Sequence, residues 1–154
     1  MKKVVIIGGG FAGTYCTIAL EKSFGVTLID TKDYFEFTPG ILRAISEPGG
    51  LKEIQVCHNK YLKRSKIVKG FVKEVKEDRV ILKDNKKIDF DYLIIATGSY
   101  YKSPIKEENV LLINRGKHIR QYADKLDSAK SILIVGGGVV GVELAGEILT
   151  LKKD

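Results

Sequence analysis

Val4-Val5-Ile6-Ile7-Gly8-Gly9-Gly10-Phe11-Ala12-Gly13 stands almost at the start of the chain. Four β-branched residues with no polar break read as a strand buried on both faces of a parallel sheet. The three glycines turn the chain. From Phe11 to about Ser23 the spacing predicts a helix, with Ala12, Cys16, Ala19, Leu20 and Ser23 on one stripe and small residues toward the sheet. Gly25 ends that helix, and Val26 to Ile29 reads as a second buried strand that stops at Asp30. Strand, helix and strand make one βαβ unit.

The glycine spacing carries the chemistry. Gly8, Gly10 and Gly13 follow the GxGxxG pattern at a strand-to-helix turn. The first glycine allows the tight turn, the second admits a pyrophosphate close to the backbone, and the third lets the helix pack on the strand. Free N–H groups and the positive dipole end at a helix N-terminus favour such an anion. An acid about 20 residues on receives the ribose hydroxyls. Asp30, 22 positions after Gly8, is where that acid belongs.

Working outward, residues 31–50 hold Pro39, Pro48, Gly40, Gly49 and Gly50 and are expected to be irregular. Leu51 to Ser65 shows a weak basic helical pattern. Alternating stretches near 66–75, 79–83 and 86–90, split by Glu77-Asp78 and Asp84-Asn85, read as an antiparallel meander. Tyr92 to Thr97 reads as another buried strand, stopped by Gly98. A short strand over 110–113 and a polar helix over about 115–129 follow. Ser131 to Val135 and Val139 to Leu151 then repeat the opening strand–glycine–helix arrangement. Gly136, Gly138 and Gly141 copy the first motif 128 positions later, but an acid 20 residues further on would lie past Asp154.

The 154 residues are one domain's worth, with 44% hydrophobic and 29% charged, ordinary for a chain with a packed core. No apolar run reaches the roughly 18 residues of a membrane span. Met1-Lys2-Lys3 and Val4 to Ile7 look like the start of a secretory signal, but the glycines cut the apolar stretch short. The expectation is a cytoplasmic protein. Cys16 and Cys57 form no CxxC or metal-type cluster; Cys16 falls on the inner helix face. His58 and His118 stand alone and read as surface residues, and no metal site is visible. The net charge of +7 is spread along the chain as a lysine-rich surface. Lys60, Lys63, Arg64, Lys66 and Lys69 form a basic stretch, yet no nucleic-acid motif accompanies it, so no nucleic-acid partner is expected.

Together, Val5 to Gly13, Val26 to Asp30, Phe37-Thr38-Pro39, Asp91 to Ser99 and Gly136 to Glu147 resemble the FAD-dependent pyridine nucleotide-disulfide oxidoreductase superfamily. Within it they are most similar to the N-terminal part of type II NADH dehydrogenases (NADH:quinone oxidoreductases). The resemblance runs the length of the chain. It implies an α/β, Rossmann-like FAD-binding domain of three-layer type, with a parallel sheet and an antiparallel β-meander. By that family's length the chain is truncated: an FAD domain over 1–113 without its C-terminal return segment, a connecting helix over 114–130, and the start of an NAD(P)-binding domain over 131–154.

Carried over by resemblance, Gly8, Gly10, Phe11, Ala12, Gly13, Asp30, Thr31, Lys32, Ala96, Thr97 and Gly98 are candidate FAD contacts. Val72 matches a position whose backbone meets the adenine, and Thr38 and Pro39 match the loop that approaches the flavin ring. Gly136, Gly138 and Gly141 match an NAD(P) site that is incomplete here. Glu143 matches the acid near the nicotinamide and quinone end; by itself it also reads as a solvated acid in a helix's first turn. The implied activity is hydride transfer from NAD(P)H to FAD and then to a quinone-like acceptor. The other reading is a non-catalytic flavin- or nucleotide-binding module. Membrane attachment is expected only through a part of the family's chain not present here. Ser131 to Val135 is expected to fill the slot of the missing return strand, within the chain or swapped in a homodimer.

Overall fold

The computed structural model describes residues 1–102, 104–106 and 112–151. In chain order its elements are β1 (Lys3–Ile7), α1 (Phe11–Leu20), β2 (Gly25–Asp30), β3 (Tyr34–Glu36), α2 (Ile41–Ser46), β4 (Gln55–Cys57), α3 (His58–Tyr61), β5 (Lys66–Lys69), β6 (Val72–Val75), β7 (Arg79–Leu82), β8 (Lys87–Asp89), β9 (Tyr92–Ile95), α4 (Leu112–Ser128) and α5 (Val139–Leu151). Short 3-10 turns cover Thr38–Gly40 and Pro48–Glu53. By packing, Met1–Glu36 with Val56–Tyr100 form one compact unit. A second gathers Phe37–Gln55 with residues from 113 onward. The architecture is the α/β, Rossmann-like one expected, a parallel sheet with helices beside an antiparallel meander.

In the first unit β5, β2, β1 and β9 lie side by side in one parallel sheet. The register sets Ile7 level with both Ile29 and Ile95. Gly8, Asp30 and Ala96, each one residue further, therefore emerge together at the carboxyl edge of the sheet, where ligands of open α/β sheets bind. One face is filled by Val5, Ile7, Ile29, Val68, Val80 and Leu82, the last two from the meander. The other is filled by Val4, Ile6, Val26, Leu28 and Leu62, with Cys16 and Leu20 of α1 against them. The meander is β6-β7-β8, turned at Glu77-Asp78 and again at Asn85, whose φ of 64° is the left-handed conformation that Asn tolerates.

Several expectations are corrected. Helix α1 ends at Leu20, and its inner face is Gly13, Cys16, Thr17 and Leu20; of the expected stripe Ala12, Ala19 and Ser23 are exposed. Thr17 can be buried because its hydroxyl donates to the Gly13 carbonyl at 2.7 Å. The stretch near 66–75 is two strands, since Gly70 breaks it: β5 extends the parallel sheet and only β6 joins the meander. Leu51 to Ser65 holds the end of a 3-10 turn, the short strand β4 and one α-helical turn, α3. Strand β9 is an edge strand, with Ile95 67% exposed, so it is not buried on both faces.

The second unit has its own core of Ile41, Leu42, Ala44 and Ile45 from α2, Leu51, and Ile119 from α4, with Leu144 of α5 beside them. Residues 31–50 are thus largely ordered, because Ile41-Leu42 and Ala44-Ile45 give α2 an apolar face that the neighbouring prolines and glycines mask in the sequence. Arg115 of the polar helix α4 is fully buried and donates to the Pro104 carbonyl at 2.8 Å. Of the strand expected over 110–113, residues 110 and 111 lie outside the described residues, and 112–113 already belong to α4. Residues 131–137 form no strand, and Leu133 and Val135 are 88% and 90% exposed. A β-branched run makes a strand only where it finds ladder partners. The expected docking of Ser131 to Val135 into the chain's own sheet is overturned.

Candidate dinucleotide site

The turn after β1 is set by backbone approach. Gly8 has φ +102°, and a Cβ there would run into the carbonyl of Ala96 and lie 3.1 Å from the Thr97 Cα. The Gly8 N–H donates to the Ile29 carbonyl and the Ala96 N–H to the Ile7 carbonyl, each at 2.8 Å. A Cβ on Gly13 would collide with the Gly8 carbonyl, so the helix starts tight against the turn. These contacts bring the first glycine motif and the Ala96-Thr97-Gly98 strand end together, as the sequence predicts. Gly98 itself has φ +72°.

Gly10 is the N-cap of α1, with no side-chain cap and no acid in the first turn, and a Cβ on it would meet nothing within 4 Å. The leading N–H groups of a helix have no partner within it. Phe11, the first residue of the helix, packs edge-on against Phe35 at 5.2 Å.

Asp30, nearly buried, is the centre of a network that the sequence reading missed. Its Oδ1 accepts the Thr31 N–H at 2.7 Å, and its Oδ2 lies 3.1 Å from Nε2 of His58. His58, expected on the surface, is 0% exposed. It opens α3 one helical turn before Tyr61, whose hydroxyl sits 2.6 Å from His58 Nδ1 and 3.1 Å from Thr14 Oγ1. The Thr14 hydroxyl reaches back 3.1 Å to the Gly9 carbonyl. Burial, first, and the Asp30 charge push the Tyr61 phenol above its ordinary pKa, against the opposing Thr14 hydrogen bond. Tyr61 therefore keeps its proton. Gly9 completes the site, since a Cβ there would overlap the Asp30 carboxylate and crowd His58. The available signal was His58-Asn59-Lys60-Tyr61, a polar pair three residues apart just after the short run Gln55-Val56-Cys57.

Other candidates in the first unit stand as follows. Lys32 places its ammonium 5.1 Å from the Tyr34 ring centre, a cation–π contact. Val72 is half-buried, at an irregularity in the β6–β7 register, against the core.

In the second unit, Thr38 and Pro39 begin the Thr38–Gly40 turn. Gly136 has φ +111°, and a Cβ on Gly141 would collide with the Gly136 carbonyl, which repeats the Gly8–Gly13 relation. Val142 N–H donates to the Gly138 carbonyl at 3.0 Å, as Thr14 does to Gly10 at 2.9 Å. The copies differ in the middle: Gly137 meets nothing within 4 Å where Gly9 is closed in. Glu143 is exposed and lies just past the first turn of α5, not within it.

A family model for pyridine nucleotide-disulphide oxidoreductases matches residues 2–154. The chain belongs to that family. The pyridine nucleotide-disulphide oxidoreductases are FAD-binding, NAD(P)H-dependent enzymes, so FAD and NAD(P)H are the cofactor and reductant expected from the sequence. The chain is 40% identical over 150 residues to apoptosis-inducing factor homolog A of Dictyostelium discoideum, covering 96% of this chain and 37% of that protein. It is 39% identical over 155 residues to ferroptosis suppressor protein 1 of Xenopus tropicalis, covering 96% and 40%. Among solved structures, the sulfide:quinone oxidoreductase of Aquifex aeolicus superposes with a TM-score of 0.72 at 27% identity, covering 94% of this chain and 38% of that one. The chain thus spans about two fifths of these relatives.

The residues of this chain fit the adenosine and pyrophosphate parts of FAD. A side chain at Gly8, Gly9 or Gly13 would collide, Gly10 opens the helix terminus to space, and the Asp30 carboxylate has acceptor sites left over beside it. Among the described residues no group of His, Cys, Asp and Glu could hold a metal. No described helix is long and apolar enough to cross a membrane.

Proposed function

We propose that this chain carries the FAD-binding part of an oxidoreductase that takes a hydride from NAD(P)H and passes the electrons to a quinone or similar acceptor. The observation that carries the reading is Asp30 at the edge of Gly9, beside the uncapped N-terminus of α1. The quinone acceptor is supported by the name of the sulfide:quinone oxidoreductase it resembles. In this reading residues 1–113 hold FAD, 114–130 connect, and 131–154 open the pyridine-nucleotide part.

Bound FAD supplies the hydride-accepting and electron-carrying chemistry. The chain's own residues bind and orient. Backbone N–H groups of Phe11, Ala12 and Gly13 receive the pyrophosphate, and Asp30, with Thr31 and Lys32 next to it, receives the adenosine ribose. Val72 borders the adenine, and Ala96, Thr97 and Gly98 approach the flavin. Gly136, Gly138 and Gly141 receive the NAD(P)H pyrophosphate, and Glu143 lies toward the nicotinamide and acceptor.

One observation favours a second reading, a flavin-binding module without turnover. Among the described residues the second glycine motif follows no strand, and Gly137 has no acid beside it. The visible spectrum of the purified chain, with any released cofactor identified, tests both. A stoichiometric flavin band bleached by NADH without oxygen, and restored by an added quinone, supports the enzyme. A flavin band that NADH leaves unchanged supports the module. A colourless chain that takes up no added FAD removes both.

A further inference from the structure

Asp30 is held by two donors, one on each oxygen: the Thr31 N–H on Oδ1 and the His58 ring on Oδ2. An ionised carboxylate offers about four lone-pair sites. The two that remain, one per oxygen, match the two hydroxyls of a ribose 2′,3′-diol. Which His58 nitrogen carries the proton is set by the partner of the other. The Asp30 carboxylate can only accept, so Nε2 is the donor to Oδ2, and in that tautomer the bare Nδ1 accepts from the Tyr61 hydroxyl 2.6 Å away. The single hydrogen of the Thr14 hydroxyl is then left for the Gly9 carbonyl or the phenolic oxygen, each 3.1 Å away.

We infer that His58 is a positioning residue for the adenosine end of the flavin site: Tyr61 fixes its neutral Nε2–H form, and that N–H turns the Asp30 carboxylate toward the ribose diol. This rests on the FAD reading above. A neutral ring leaves Asp30 its full negative charge for the diol, whereas a protonated ring would share that charge. The His58 ring is fully buried, and Gly9 lies close against both it and the carboxylate, which confines the Asp30 side chain on that side. Tyr61, Thr14 and Gly9 tie the same ring to the pyrophosphate turn, so the ribose and phosphate contacts are set by one connected group of residues.

The test uses the 154-residue chain and two readouts. Ring nitrogen shifts of 15N-labelled protein at neutral pH are expected to show His58 protonated on Nε2 and bare on Nδ1. A ring protonated on Nδ1, or on both nitrogens, overturns the inference whether or not flavin binds. Titration with FAD, and with an FAD analogue lacking both adenosine ribose hydroxyls, is the second readout. His58→Leu is expected to weaken FAD by about ten-fold or more, the effect of a lost hydrogen bond to a charged group. His58→Gln, whose amide keeps an N–H near the Nε2 position, is expected to recover most of that loss. Wild type and His58→Leu are expected to bind the analogue alike. Equal FAD affinity in wild type and His58→Leu, or an equal loss for FAD and analogue, overturns the inference. If His58→Leu does not fold, Tyr61→Phe takes its place with the same expectations, because removing one hydroxyl leaves the packing intact. Should wild type take up no FAD, the flavin reading fails, and the ring nitrogens still decide the role of His58 at Asp30.

Discussion

A methyl group placed on Gly9 would fall where the Asp30 carboxylate lies, with the His58 Cε1 and Nε2 2.6 Å away. The equivalent residue of the second motif, Gly137, meets nothing within 4 Å. Gly9→Ala is therefore expected to lower stability by about 1–3 kcal/mol, as overpacking does, and to weaken FAD. Gly137→Ala is expected to stay within about 0.5 kcal/mol of wild type. Urea unfolding and flavin titration of the two variants check this, and equal behaviour would sink it.

The third glycines predict a matched pair. Gly13→Ala and Gly141→Ala each drive a Cβ into a carbonyl, of Gly8 and Gly136 respectively, and both are expected to destabilise the chain. Gly146, an exposed residue within α5 with open space around it, is the control. Gly146→Ala is expected to stabilise by about 0.5–1 kcal/mol, the helix cost of glycine. Thermal melts of the three variants rank them.

Acid sensitivity follows from Asp91. Its carboxylate accepts the Lys3 N–H at 2.6 Å and the Lys2 ammonium at 3.1 Å, which ties the start of β1 to the start of β9. The Lys3 hydrogen bond first, then Lys2, hold its pKa below the ordinary carboxylate value. A depressed folded pKa means a contribution present above the unfolded value of about 3.9 and lost as pH falls through the folded one. The melting temperature of wild type is expected to exceed that of Asp91→Asn near neutrality, with the gap closing below about pH 4. A gap that widens in acid contradicts the assignment.

Ile45 tests the second unit. It is 3% exposed, in a segment whose glycines and prolines suggest a loop. Ile45→Ala is expected to cost about 2–5 kcal/mol, as core truncations do. A cost below 1 kcal/mol by urea unfolding would mean that α2 is not part of a packed core.

The sheet and its glycine turn were legible because they are written in local patterns. Val4 to Ile7, Val26 to Ile29 and the glycines between them leave few other conformations, and Asp30 falls at a spacing the ligand dictates. The support of Asp30 was not legible. His58 is 28 positions away, and its burial depends on Tyr61, Thr14 and Gly9 meeting it from other elements. Val139 to Leu151 was read correctly as a helix, while Ser131 to Val135 was read as a strand from composition alone. A helix satisfies its own backbone, but a strand needs a neighbour that no pattern within its five residues can supply.

The second glycine turn has its shape without a preceding strand: the Gly136 carbonyl, the close pass of Gly141 and the Gly138–Val142 hydrogen bond all lie within seven residues. Loops that short close fast and at little entropic cost. Every contact that shapes this turn is therefore present in the chain once Val142 has been added. The first turn has the same local contacts but is also packed by Ala96 and His58, so its full set spans most of a hundred residues. Two copies of one motif thus draw on contacts of very different sequence range.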